Sequence, residues 1–275
     1  MCTHCGCSDD ATPTVTDLQS GQTAPAPVVH VHEHGHDHDH AQDHGQAHVH
    51  AHGGTTIRLD QQILAKNNRL AERNRGWFLG RNIVALNLVS APGSGKTTLL
   101  ERTLRDLGGE VPIQVVEGDQ ATLNDARRIQ AAGGKVVQIN TGAGCHLDAA
   151  MLGRGLQMLD PPADSVVMIE NVGNLVCPAL FDLGERAKVL IASVTEGDDK
   201  PIKYPHMFRA SALVLLNKID LLPHVSFDRA RFAELVRQVN PTLPILDVSA
   251  TRGDGLADWY AWLRDQRARP ERLLE

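Results

Sequence analysis

Ser90-Ala-Pro-Gly93-Ser94-Gly95-Lys96-Thr97-Thr98 sets two glycines, a lysine and a pair of threonines directly after an apolar run. Backbone N–H groups at Gly93, Ser94, Gly95 and Lys96 can wrap an anion, and the amino end of a following helix adds positive potential. The spacing is that of the phosphate loop G-x-x-x-x-G-K-[ST], with Ser90 where the pattern has its first glycine. In this reading Lys96 reaches the β and γ phosphates, Thr97 ligates magnesium, and Thr98 completes the set. Asn217-Lys218-Ile219-Asp220 follows another apolar run. Guanine presents N1–H and an exocyclic amine, both donors. A carboxylate at Asp220 accepts from both, while Lys218 lies along the base and Asn217 ties its loop to the phosphate loop. Ser249-Ala250 fits the segment whose backbone approaches the base oxygen. GTP is therefore expected in preference to ATP. Phosphoryl transfer also calls for a second magnesium-holding carboxylate and an N–H that senses the γ-phosphate. Asp119, closing Glu117-Gly118-Asp119, and Glu170 with Gly173, in Glu170-Asn171-Val172-Gly173, are the candidates.

Metal ligands gather at three other places. Cys2, Cys5 and Cys7 form C-x-x-C-G-C, with His4 inside it. Thiolates two residues apart can turn onto one ion, Gly6 lets the third join, and the terminal amine or His4 can supply a fourth ligand. From His30 to His52 there are ten histidines in 23 residues: His30, His32, His34, His36, His38, His40, His44, His48, His50 and His52. Imidazoles interleaved with Asp and Glu suit a store of several nickel, zinc, copper or cobalt ions. So few apolar residues lie there that the stretch is expected to be disordered when unliganded. Asp10 to Pro27, rich in Thr, Ala, Pro and Gln, reads as a flexible linker. The third group is Cys145-His146, expected at a helix amino terminus that stabilises a thiolate, with Cys177 seven residues beyond Glu170. Two thiols and an imidazole are soft ligands suited to nickel or zinc. Water or a second subunit would complete the sphere, and paired half-sites would form a two-fold dimer interface.

The elements that must position these residues follow from periodicity. Leu59 to Asn74 carries a helical stripe in Leu59, Ile63, Leu64 and Leu70. Strands are expected at Ile83–Val89, Ile113–Val116, Val136–Asn140, Ser165–Glu170, Val189–Val194, Ala212–Leu216 and Ile245–Val248. Helices are expected near Thr97–Leu107, Leu123–Ala132, His146–Leu159, Asp228–Val239 and Gly255–Arg267. Such alternation predicts an α/β fold, a mainly parallel sheet with helices on both faces, binding ligands beyond the carboxyl ends of its strands.

Charge divides the chain in two. Its formal net charge is −6, yet residues 1–54 hold seven acids and no Lys or Arg. The other 221 residues hold all 27 basic and 26 of the 33 acidic side chains, a balance of +1. The expected division is therefore a metal-binding tail, 1–54, and a GTP-binding domain, 55–275. The acidic balance argues against general nucleic-acid binding. No apolar stretch approaches the ~20 residues of a membrane span, and the first 30 residues lack a secretory signal, so a cytoplasmic protein is expected.

In order, C-x-x-C-G-C, the His-rich stretch, S-A-P-G-S-G-K-T-T, E-G-D-Q, T-G-A-G-C-H-L-D, E-N-V-G-N-L-V-C-P, T-E-G-D-D-K-P and N-K-I-D closely resemble the HypB family of GTPases that assist nickel insertion into nickel-iron hydrogenase. The resemblance implies a P-loop NTPase domain forming a GTP-dependent homodimer. It implies a high-affinity nickel site at Cys2, Cys5 and Cys7, and a weaker nickel or zinc site at Cys145, His146 and Cys177. It also implies work with a small zinc-containing partner chaperone and the hydrogenase large subunit. Ser90 is usual in that family, and the resemblance gives Asp198 and Lys200 a role at the nucleotide or the dimer contact. Two other readings stay open: a nickel store whose nucleotide domain only docks, and a urease-type nickel GTPase.

Overall fold

The computed structural model describes residues 13–26 and 53–269 apart from 121 and 143, with the backbone alone over 53–60. The sites expected at Cys2, Cys5 and Cys7 and at His30 to His52 lie outside the described residues. Among the described residues nine strands form one sheet: β1 Thr14–Asp17, β2 Thr23–Pro25, β3 Val84–Ser90, β4 Ile113–Asp119, β5 Lys135–Asn140, β6 Val166–Glu170, β7 Ala187–Ser193, β8 Ser211–Asn217 and β9 Ile245–Asp247. Their order is β2-β1-β5-β4-β6-β3-β7-β8-β9. β3 to β9 are parallel throughout, and β1 and β2 add an antiparallel hairpin at the β5 edge.

Side chains of a strand alternate between faces, so a strand buried on both sides must be apolar at nearly every position. β3 shows this. Val84, Leu86 and Leu88 pack with Leu99 and Leu104 of α2 (Lys96–Leu107), Ile129 of α3 (Asn124–Ala131) and Trp259 and Leu263 of α9 (Leu256–Ala268). Ala85 faces the other way, beside Phe78 of α1 (Gly53–Gly80) and Met151, Leu152 and Leu156 of α4 (Ala149–Leu159). On that second face Val89 joins Leu190, Val214 and Leu216 beneath Phe208 and Phe232, which come from α7 (Pro205–Ala210) and α8 (Arg229–Val239). Helices on both faces of a mainly parallel sheet are what the alternation of segments implied.

Two readings need correction. Asp10 to Pro27 is not simply a linker, because residues 14–25 are a hairpin docked on the sheet, with Val15 fully buried and paired to Ile139. Its low-complexity composition concealed a strand that is stable only against a pre-formed edge. The helix expected from His146 starts at Ala149, where the Asp148 side chain accepts a bond from the Met151 N–H at 2.7 Å and caps it. Cys145 therefore lies outside the helix, and its chemistry cannot be ascribed to a helix terminus. Short elements escaped the periodicity: α5 Cys177–Leu180, α6 Lys200–Lys203, α7, and a 3₁₀ turn at Ile219–His224. Each has six residues or fewer, too brief to show a period.

Candidate functional site

All the loops that bear chemistry leave the carboxyl ends of the parallel strands. Gly93 and Gly95 take φ of +76° and +93°, conformations a Cβ disfavours, so the chain can turn from β3 into α2. Ser90 keeps an ordinary negative φ at the end of β3, which is why it stands in place of glycine there without strain. A Cβ at Gly95 would lie 2.5 Å from Asn217 Nδ2. That closeness reflects a real tie: Asn217 Nδ2 donates to the Ser94 carbonyl at 2.9 Å, and Lys218 Nζ donates to that of Gly93 at 2.6 Å. Asn217 Oδ1 accepts from the Ala250 N–H at 3.1 Å, and the Ser249 hydroxyl donates to Asp220 Oδ1 at 2.6 Å. The five base-loop residues and the phosphate loop form one connected unit.

A cavity of about 550 Å³ opens over the phosphate loop and is lined by Gly93, Ser94, Gly95, Lys96, Thr97 and Thr98; of the base-loop residues only Lys218 reaches it. Asp119, Glu170, Gly173 and Lys218 face the same space, joined by Glu117 and Arg128. Lys96 Nζ bonds Glu170 Oε1 at 3.1 Å and the Asn171 carbonyl at 2.5 Å, and the Thr97 hydroxyl donates to Glu170 Oε1 at 2.6 Å. Asp119 is occupied locally, accepting from the N–H groups of Gln120 and Thr122 and from the Thr122 hydroxyl. Gly173 packs on Pro92, where a Cβ would come within 3.2 Å. Glu117 was visible beside Asp119 in the motif but was given no role. It is buried, and desolvation, then the charges of Glu170 and Asp119, push its carboxyl up to about 9 against the pull of Lys96. Glu117 Oε2 and Glu170 Oε2 are both buried without a hydrogen-bond partner. With a hydroxyl at Thr97 and a carboxylate at Asp119, this all-oxygen donor set fits a hard divalent cation such as magnesium.

The soft ligands also converge. Cys145 Sγ lies 3.1 Å from Cys177 Sγ and 3.5 Å from His146 Nδ1, and one ligand atom from each residue falls within 4.8 Å of the others. His146 lies against Phe181, the rings tilted by 40° with centroids 3.9 Å apart, and burial pushes its imidazole down to about 4. A neutral imidazole is the form that binds a metal. Asn174 Nδ2 bonds the Cys145 carbonyl at 3.2 Å, pinning the Cys177 loop to the Cys145 loop.

One residue that the motifs contained, and for which no role was inferred, connects the two sites. Asn171 is buried. Its carbonyl takes Lys96, its Oδ1 accepts from the N–H groups of Leu147 at 3.2 Å and Val172 at 3.0 Å, and its Nδ2 donates to Asn87 at 3.2 Å. Leu147 is the residue after His146. No motif spacing signals such a bridge, since it depends on β6 lying beside β3. Lys200 pairs with Glu196 at 3.7 Å and sits over the Tyr204 ring, whereas Asp198 faces Arg231 at 3.5 Å and takes the Asp228 N–H. Both serve to join their loop to α6 and α8.

The sheet and the phosphate loop define a P-loop nucleotide-binding protein. A profile of the family described as "CobW/HypB/UreG, nucleotide-binding domain" matches residues 84–247. Hydrogenase maturation factor HypB of Escherichia coli (strain K12) is 55% identical over 211 residues, covering 77% of this chain and 73% of the relative. Among solved structures, HypB from Archaeoglobus fulgidus superposes with a TM-score of 0.69 at 40% identity, over 74% of this chain and 99% of the other. HypB from Helicobacter pylori, in complex with nickel, gives 0.70 at 35% identity, over 74% and 95%. The chain belongs to the HypB family of hydrogenase maturation factors.

Proposed function

We propose that this chain hydrolyses GTP to GDP and phosphate and uses that cycle to control a nickel ion held by Cys145, His146 and Cys177, for delivery to the large subunit of nickel-iron hydrogenase. The observation that carries the reading is Asn171, which binds the phosphate-loop lysine through its carbonyl and the metal loop through its side chain. Lys96 released from Asn171 and Glu170 is free to turn to phosphate, and the strand end it leaves is the one that holds Leu147. Asp220, Lys218, Asn217, Ser249 and Ala250 hold guanine. Thr97, Asp119 and Glu170 would hold magnesium, which when bound supplies neutralisation of phosphate charge. Gly173, hard against the phosphate loop, offers its N–H to the γ-phosphate.

Cys2, Cys5 and Cys7 are the tight nickel site, His30 to His52 a reserve, and zinc the competing ion at the internal site. Three internal ligands leave room for water or for a second copy of the chain, which makes a nucleotide-dependent homodimer the working assembly. A small zinc-containing chaperone is the expected partner in delivery. Free thiols of this kind suit a reducing cytoplasm. Among the described residues no helix is long and apolar enough to cross a membrane.

Nickel affinity at Cys145, His146 and Cys177, measured with GDP and with a non-hydrolysable GTP analogue, tests the cycle. Coupling must be reciprocal, so equal affinities in the two states refute it. The rival, a nickel store with a docking domain, is separated by deleting residues 27–52 and leaving the hairpin in place. Storage predicts that hydrogenase activity then fails only when nickel is scarce, whereas a GTP-driven chaperone needs Lys96 at every nickel level.

A further inference from the structure

α1 carries two buried asparagines, Asn67 and Asn74, seven residues apart and so on one face of the helix. A buried amide costs stability unless its polar groups are bonded, and an apolar side chain would pack in its place without that cost. Both amides are spent on the loops that carry the soft ligands. Asn67 Oδ1 accepts from the Ala149 N–H at 2.9 Å, and its Nδ2 donates to the Asp182 carbonyl at 2.7 Å. Asn74 Nδ2 donates to the Ala149 carbonyl at 2.8 Å and to the Leu183 carbonyl at 3.1 Å.

Ala149 begins α4, three residues after His146, and its N–H is one of the donors that a helix start leaves without an intrahelical partner. Asp182 follows Phe181, whose ring lies against His146, and stands five residues after Cys177. The same two side chains therefore grip the exit of the Cys145–His146 loop and the exit of the Cys177 turn. Glycines let helix and loops come this close. A Cβ at Gly184, where φ is +86°, would collide with the Ala71 carbonyl, and one at Gly153 would fall 3.1 Å from Asn74 Oδ1. Arg75 closes the grip, donating to the Glu185 carbonyl at 3.0 Å and pairing with Asp182 at 2.5 Å. None of this serves the nucleotide directly, since α1 packs on the sheet face opposite α2.

We propose that Asn67 and Asn74 are positioning residues for the internal metal site. They fix the separation of the His146 loop from the Cys177 turn, and α1 thereby sets how tightly Cys145, His146 and Cys177 hold nickel. This rests on the reading of that cluster as a nickel site. Fully bonded buried polar networks rigidify what they join. Ligands already gathered bind an ion without the cost of being ordered first.

The test uses the full chain carrying Cys2→Ser, Cys5→Ser and Cys7→Ser as the parent, with nickel ion alone and no nucleotide. Thiolate-to-nickel charge-transfer bands then report Cys145 and Cys177, because imidazoles give no such band and any nickel they hold is common to every variant. Asn67→Ala and Asn74→Ala each remove two of the four bonds and leave every ligand in place. Each is expected to weaken nickel binding by about 10- to 100-fold and to shift the charge-transfer bands, with metal-free GDP affinity unchanged. Leu263→Ala, which truncates a fully buried side chain of α9 on the other face, should lower stability in urea and leave affinity and bands as in the parent. Asparagine variants that fold and keep the parent's affinity and bands overturn the proposal. So do variants that do not fold, or a Leu263→Ala chain that loses nickel to the same degree, since either makes the asparagines general supports of the domain. A parent that shows no thiolate bands with nickel overturns the metal-site reading and the positioning role with it.

Discussion

Replacing Asn171 by alanine removes a side chain that ties the metal loop, through Leu147, to Asn87 of β3 while leaving every candidate ligand in place. Leu147 is fully buried, so its N–H loses an acceptor at 3.2 Å, and Asn87, also fully buried, loses a donor to its Oδ1. Each group left unsatisfied costs about 1–3 kcal/mol. Val172 is half-buried, so its N–H can turn to water at little cost. The variant should therefore lose about 2–6 kcal/mol of the ~5–15 kcal/mol that holds a domain together. Urea unfolding measures this. Its functional effect is separate: Lys96 keeps the backbone carbonyl of residue 171, but movement there no longer pulls on the loop of His146. If coupling in the wild type lies in the usual range of about 5- to 150-fold, the GDP-to-analogue ratio of nickel affinities should fall to within about twofold of unity. Nickel titrations in both nucleotide states read that ratio. A folded variant that keeps the wild-type ratio, or one within about 0.5 kcal/mol of wild-type stability, refutes the bridge.

Lys96→Ala should lower GTP turnover by about 100-fold or more while the cysteine sites take up nickel as before; normal phosphate release would remove Lys96 from the active site. Asp220→Asn loses an acceptor aimed at two guanine donors, so GTP binding in calorimetry should weaken by about 100-fold or more, and unchanged affinity would refute the guanine assignment. Glu117 has an ordinary pKa of 4.5 and is raised to about 9 in the folded chain, so the nucleotide-free fold holds a proton that the unfolded chain releases. The stability this confers is complete below pH 4.5 and lost as pH rises towards 9, by about 3 kcal/mol at pH 7. Glu117→Gln should flatten that slope, gaining on the wild type in urea unfolding between pH 5 and pH 8; parallel curves would refute a buried, protonated carboxyl.

What the sequence by itself determined was local chemistry. The phosphate loop was legible because a fixed spacing of Gly95, Lys96 and Thr97 is enough to specify it once a strand precedes and a helix follows. The long strands were equally plain, since burial on two faces leaves apolar runs such as Val84 to Leu88 with only Asn87 polar. Cys145, His146 and Cys177 were picked out by ligand type, and the structure brings them within 4.8 Å. Tertiary structure alone decided the rest. Glu117 became distinct from Asp119 only through desolvation, which follows from the neighbours of β4 and not from its own residues. Asn171 became a bridge because β6 lies next to β3 and opposite the Leu147 loop, an arrangement set by strand order. The hairpin at Thr14 to Pro25 could not be read from its composition, because three and four residues of strand have no stability until the β5 edge supplies their hydrogen bonds and a pocket for Val15.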